Sequence, residues 1–103
     1  MAFSRNAPAG LISKTFQRIV TNSTATALNT TAQVATALYL SVETQNVRIT
    51  FDASTPTANT GVLFLATNSP YYLEGVKCAD VRIARATAGA IVNVAAFGRV
   101  GDK

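Results

Sequence analysis

The chain has 103 residues, of which 49% are hydrophobic and only 14% are charged, and its net charge is +4. This length is typical of one domain with a single core, and so little charge suits a surface that neighbouring molecules cover. Histidine is absent, which removes the usual general base, the commonest metal ligand and the Ser-His or Cys-His nucleophile pair, so we expect neither an enzyme nor a cofactor.

The first segment of the chain is predicted to be an extended arm. Residues 1–13 contain Ala-Pro-Ala-Gly and show no hydrophobic periodicity, as in arms that become ordered on a neighbour. They also lack the apolar core of a secretion signal, and no run of 18 apolar residues occurs in the sequence. We therefore expect neither a secretion signal nor a membrane span, and a single domain over residues 14–103.

The middle of the chain gives the strongest strand signal. After weaker strand patterns at residues 15–20 and 25–28, apolar and polar residues alternate twice, first around Leu38, Leu40 and Val42 and then around Val47 and Ile49. A period of two predicts strands with one buried face. The polar residues 44–46 between the two runs are few enough for a hairpin, which predicts that the two strands pair antiparallel.

Further short strands are predicted after a loop that contains Pro56 and Gly61. They cover residues 62–66, 71–73, 81–83 and 91–97, while residues 84–90 are interpreted as a turn because Gly89 interrupts a helical pattern. The total is about seven or eight short strands. The predicted fold is all-β, an antiparallel β-sandwich or a jelly-roll-like barrel with an extended N-terminal arm.

The remaining reactive groups favour structural interpretations. Cys78 is the only cysteine, so it forms no intrachain disulfide, and we interpret it as a small buried hydrophobic residue. The carboxylates lie beside predicted strand ends or turns, where acids are common; they are Glu43, Asp52, Glu74, Asp80 and Asp102. Phosphate-binding glycine motifs and metal-ligand spacings are absent from the sequence.

Two consecutive tyrosines indicate an interaction surface. Neighbouring strand residues face opposite sides, so only one of Tyr71 and Tyr72 can enter the core, and Tyr39 faces outward by the same alternation. An outward tyrosine ring fits a protein interface or a stacking platform for a sugar or a base. The predicted protein-interface residues are Arg5, Lys14, Arg18, Tyr39, Tyr71 and Tyr72.

The basic residues argue against a nucleic-acid partner. The nine lysines and arginines are scattered along the chain, whereas nucleic-acid-binding proteins usually cluster them or interleave them with aromatic residues. A nucleic-acid-binding β-barrel that uses Arg48, Arg82 and Arg85 stays open as an alternative, as does a glycan-binding barrel with an exposed tyrosine as its platform.

The order of these segments resembles that of small structural proteins of tailed bacteriophages. The matching pieces are residues 37–43 (ALYLSVE), residues 46–52 (NVRITFD), a Thr-Pro-Thr loop that ends in Gly61, a Tyr-Tyr pair before Gly75, and residues 81–94. The resemblance implies a β-sandwich component of the virion, assembled in the cytoplasm of the bacterial host.

Within the virion, the resemblance implies a capsid decoration (cement) protein that binds and stabilises the head shell. An accessory protein of the head-tail junction or the tail is the alternative. The implied partners are copies of the chain itself, in a homo-oligomer such as a trimer, and other virion proteins such as the major capsid protein.

Overall fold

The computed structural model describes residues 11–29 and 32–99. Eight strands and three short 3-10 turns, with no α-helix, make up the regular structure of these residues. The strands are β1 (Leu11–Val20), β2 (Thr26–Ala27), β3 (Ala37–Glu43), β4 (Val47–Thr50), β5 (Val62–Phe64), β6 (Tyr71–Glu74), β7 (Arg82–Arg85) and β8 (Ile91–Arg99). The 3-10 turns are Ala32–Val34, Ala66–Asn68 and Cys78–Asp80. The prediction of an all-β fold is confirmed.

The strands form two four-stranded antiparallel sheets. The front sheet has the order β1-β8-β3-β6 and the back sheet has the order β2-β7-β4-β5. The strands pair in a nested order, in which the first strand pairs with the last, the second with the last but one, and so on inward. The pairs are β1 with β8, β2 with β7, β3 with β6 and β4 with β5. This nested pairing is that of one long hairpin rolled into a sandwich, which is the jelly-roll topology.

The core lies between the two sheets and is built by strand alternation. Leu38 and Leu40 of β3 and Val94 of β8 face inward from the front sheet, and Val47 and Ile49 of β4 face them from the back sheet. All five side chains are fully buried. Every second residue of β3, β4 and the middle of β8 is therefore fixed by the core, and the residues between them face the outer sides of the sandwich.

The predicted hairpin between the two alternating runs is wrong. β3 pairs with β6 and β8 in the front sheet, whereas β4 pairs with β5 and β7 in the back sheet. Thr44 has a positive φ of 67°, and the short connection through it carries the chain from one sheet to the other. Two strands with one apolar face each can lie side by side or face each other across a core, and alternation alone does not distinguish these arrangements.

The first strand begins earlier than predicted. Leu11 pairs with Arg99 and Ser13 pairs with Phe97, so residues 11–13, which were assigned to the arm, belong to β1. A β-bulge lies between Ser13 and Thr15, and the extra residue breaks the period of two on which the prediction relied. The rest of the predicted arm, residues 1–10, lies outside the described residues. Within the described ranges, none of the helical segments is long and apolar enough for a membrane span.

Candidate interaction surface

The outer side of the front sheet carries an extended set of half-buried and exposed side chains. We call this surface the front face and define it by residues that point away from the core. Strands β1 and β8 contribute Phe16, Arg18, Val20, Ile91, Asn93 and Ala95. Strands β3 and β6 contribute Tyr39, Ser41, Glu43, Tyr72 and Glu74.

An aromatic row crosses the front face from one edge to the other. The strand register aligns Phe16 with Ala95, Ala95 with Tyr39, and Tyr39 with Tyr72. Phe16 is 65% exposed, and the ring centroids of Tyr39 and Tyr72 lie 6.1 Å apart at an interplanar angle of 59°. Three large rings flank one small side chain in this row.

Polar and apolar residues occupy the two neighbouring rows beyond the aromatic row. Arg18 aligns with Asn93 and Ser41, and Val20 aligns with Ile91 and Glu43. The Asn93 side-chain amide donates a hydrogen bond to the Glu43 carboxylate, while Val20 is 64% exposed. On the opposite side of the aromatic row, Ala37 and Phe97 are almost fully buried. On β3 and β8 the accessible part of the front face therefore begins at the aromatic row, while Glu74 of β6, which pairs with Ala37, is exposed.

The two consecutive tyrosines divide between the core and the front face, as predicted. The Tyr71 ring packs edge-on against Phe64 with centroids 4.9 Å apart, and the Tyr71 hydroxyl donates to the Leu65 carbonyl oxygen at 2.7 Å. Tyr71 is thus engaged within the domain. The buried Tyr72 hydroxyl has no hydrogen-bond partner among the described residues, and burial, with a smaller effect of Glu74, raises the pKa of Tyr72.

The front face brings together three of the six residues predicted for an interface, Arg18, Tyr39 and Tyr72. Lys14 is half-buried at the β-bulge, where its side chain lies close to Gly98, and Arg5 lies outside the described residues. Sequence reasoning missed Phe16 and Val20. Their spacing of four positions in a strand was the available signal, since it places both on one face.

A groove borders the front face at the free edge of β6. It has a volume of about 540 Å³, and its lining includes Phe51, Tyr72, Glu74 and Lys77. Two aromatic rings, one acid and one base in the lining of this groove allow contacts with a polar chain segment or a sugar.

A loop of the chain covers part of the outer side of the back sheet. Pro56, in the loop after β4, is fully buried, and a Cβ atom built on Gly61 would lie 3.2 Å from Pro56 Cβ and 3.4 Å from Arg48 Cβ. The Arg48 guanidinium donates to the carbonyl oxygens of Ala58 and Gly61, at 3.3 and 3.0 Å. The loop is therefore held against the outward side of β4.

The arginines proposed for nucleic-acid binding have structural contacts. Arg48 holds the loop described above, and Arg82 donates to the carbonyl oxygens of Ala79 and Val81, each at 2.9 Å. Arg85 lies at the end of β7 and is half-buried. Guanidinium groups bound to loop carbonyls have fewer donors left for phosphate oxygens.

The two aspartates of the described residues, Asp52 and Asp80, lie in turns. Asp52 accepts hydrogen bonds from the hydroxyl and the backbone N–H of Ser54, and these bonds, the hydroxyl first, lower the pKa of Asp52. Asp80 lies 3.8 Å from the Lys77 ammonium group, in an exposed ion pair. Residues 11–29 and 32–99 contain no group of three or more side chains suited to hold a metal ion.

Cys78 is buried in the core, as predicted. Its side chain is fully inaccessible, and this burial raises the pKa of the thiol from its ordinary value of 9.0 to about 11. Since the thiolate is the nucleophile, Cys78 is a packing residue and not a reactive one.

The Cys78 thiol is expected to react at least about a hundredfold more slowly with a water-soluble disulfide reagent at pH 8 in the folded protein than in the urea-unfolded chain. The raised pKa lowers the thiolate fraction of Cys78 about a hundredfold, and burial of the sulfur slows the reaction further. The measurement is the rate at which the reagent releases its own thiol, with and without urea. Equal rates would contradict the burial of Cys78.

Neither a protein-family model, nor a curated protein, nor a solved structure matches this chain. The front face and the chemistry of its residues are therefore the basis for a functional proposal.

Proposed function

We propose that the protein is a non-enzymatic structural subunit of a bacteriophage particle, and specifically a capsid decoration (cement) protein that binds and stabilises the head shell. The observation that carries this proposal is the front face, on which exposed apolar and aromatic side chains stand beside three charged ones on a two-sheet scaffold. Residues 1–10 and the front face supply the contacts with virion neighbours.

The exposure of large side chains on the front face supports a protein-binding role. Phe16 and Val20 are each about two-thirds exposed, at 65% and 64%, and Phe16 shares the aromatic row with the half-buried Tyr39. Contiguous apolar patches on soluble monomers usually mark interaction sites, and tyrosine and phenylalanine are enriched in such sites. Only 14% of the residues are charged, and so small a fraction suits repeated packing of copies on a shell.

The alternatives differ in how well the surface supports them. A head-tail junction or tail accessory protein would use the same kind of protein-binding face, so the position within the particle is decided by experiment. A nucleic-acid-binding role is less well supported, because Arg48 and Arg82 bind loop carbonyls. For glycan binding, the ring of Tyr71 is packed against Phe64, which leaves Tyr72 beside the β6 groove.

The proposal predicts that the chain purifies with intact particles of the phage that encodes it. The expected result is a fixed number of copies per major capsid protein, measured by quantitative mass spectrometry on gradient-purified particles, and label on the head surface in electron micrographs. Label at the tail or the head-tail junction would select the alternative. A chain found only in the soluble lysate would reject a virion role.

Deleting residues 1–10 is expected to weaken attachment to particles while leaving the domain folded, because β1 begins at Leu11. The matched measurements are particle occupancy and circular dichroism of the purified variant. Unchanged occupancy would remove these residues from the attachment and leave the front face as its source.

A further inference from the structure

We infer that the front face is a two-fold interface with a second copy of this chain, in which the aromatic rows of two front sheets pack against each other. This inference rests on the proposed function, since it names the partner of the same surface. It follows from the cover of the back sheet, the register of the front sheet and the placement of two charges.

The first step is the contrast between the two outer faces. The back sheet is covered by the loop that carries Pro56, which is held by two hydrogen bonds from Arg48. On the front sheet, Phe16 and Val20 stay 65% and 64% exposed. The fold thus covers the inner strand β4 of the back sheet and leaves Leu63 of its edge strand β5 42% exposed. The front sheet presents two more strongly exposed apolar side chains, which favours a cover from another molecule.

The second step is the self-complementarity of the aromatic row. A two-fold axis parallel to the strands and midway between β8 and β3 places β1 of one copy opposite β6 of the other, and β8 opposite β3. Phe16 then faces Tyr72 of the second copy, and Ala95 faces its Tyr39. Packed sheets are roughly 10 Å apart, a distance that Tyr39 opposite Ala95 fills well, while Phe16 and Tyr72 bring two rings together at each edge.

The third step is the placement of charge. In the same arrangement, Glu43 of the second copy is displaced from the point opposite Arg18 by one strand across the sheet and by two residues along the strand. In the plane of the sheets, this displacement is roughly 8 Å. Both side chains are exposed, and arginine is long enough to cover such a diagonal. Because the axis is two-fold, the contact occurs twice, so each copy presents an opposite charge to the other.

The size of the surface sets the expected strength. Each side-chain position on a sheet takes up roughly 4.8 by 6.8 Å, so the front face spans on the order of 350 Å² of flat sheet. Stable interfaces bury about 800 Å² of accessible surface per partner. We therefore expect a weak dimer with a dissociation constant on the order of 10 µM, a strength that becomes effective when many copies are held close together.

The experiment uses the full chain and two matched variants, Phe16→Lys on the front face and Leu63→Lys on β5. Both replace an exposed apolar residue on an edge strand by a lysine; Leu63 is 42% exposed. Sedimentation velocity over a range of about 1 µM to 1 mM is expected to show a monomer-dimer equilibrium that Phe16→Lys weakens at least about tenfold. Leu63→Lys should leave it unchanged.

A charge exchange tests the geometry at a second pair of positions. Arg18→Glu and Glu43→Arg are each expected to weaken the dimer several-fold, and the double variant is expected to restore most of the loss. Restoration of the dimer is expected if the two positions meet across the interface; within one chain they lie on β1 and β3, with β8 between them.

The outcomes separate the inference from the proposed function. A wild-type chain that stays monomeric throughout, a dimer that Leu63→Lys weakens as much as Phe16→Lys, or a double variant without recovery would each overturn the two-fold interface. A monomeric chain that is nevertheless found on particles would point to the shell, or to residues 1–10, as the cover of the front face. A dimer that is absent from particles would instead reject the virion role.

Discussion

Replacing Leu40 by alanine is expected to lower the free energy of unfolding by about 3–4 kcal/mol. Leu40 is fully buried on the inner side of β3. It is flanked on the same sheet by Val94 of β8 and Tyr71 of β6. Because strands on both sides fix the backbone, the surrounding side chains cannot collapse into the cavity that the substitution leaves, and the loss lies in the upper part of the usual range.

The matched control for Leu40→Ala is Leu63→Ala. Leu63 lies on the edge strand β5 and is 42% exposed, so the same substitution there is expected to cost less than about 1 kcal/mol. Urea denaturation followed by circular dichroism gives both values. Similar losses for the two variants would mean that Leu40 is not at the centre of the core, and the two-sheet arrangement would then be in error.

The second large effect is expected at Gly61, where alanine should cost about 2–3 kcal/mol. Gly61 has a φ of +113°, which residues with a side chain rarely adopt. An added Cβ would also lie 3.2 Å from Pro56 Cβ and 3.4 Å from the Ile49 carbonyl oxygen. Relief would require the loop to move away from β4, which would break the contacts that cover the back sheet.

A second glycine separates backbone strain from crowding. Gly75 also has a positive φ, of 68°, but no atom lies within 4 Å of its added Cβ, so Gly75→Ala is expected to cost only about 1 kcal/mol. Urea denaturation gives the two losses, and limited proteolysis shows whether the loop of residues 53–61 opens in Gly61→Ala alone. Equal losses and equal cleavage would contradict the packing of Pro56 over Gly61.

The strands could be predicted from the sequence, but their assignment to sheets could not. Leu38, Leu40 and Val42 alternate with outward residues, and the structure buries all three. The same alternation led to a hairpin with residues 47–52, because short polar connections usually join paired neighbours. In the jelly roll, however, β3 finds its partners in β6 and β8, and such distant pairings leave no local mark on the sequence.

Prediction of the candidate surface was incomplete for a related reason. Alternation places Tyr39 outward and allows only one of Tyr71 and Tyr72 to enter the core; the structure brings the rings of Tyr39 and Tyr72 together. Phe16 and Val20 were not recognised, because an apolar residue in a strand is expected to face the core. Only the register with β8, which aligns Phe16 with Ala95 and Val20 with Ile91, shows that they lie on the outer side.

The central place of β8 has a consequence for how the protein is made. β8 is the last strand of the sandwich, yet it lies between β1 and β3. A chain still emerging from the ribosome without residues 91–99 therefore has nothing to join its first strand to the front sheet, and its apolar inner residues stay unpaired until synthesis passes this segment. Folding is thus expected to follow translation, and products that stop before β8 should be removed by cellular proteases.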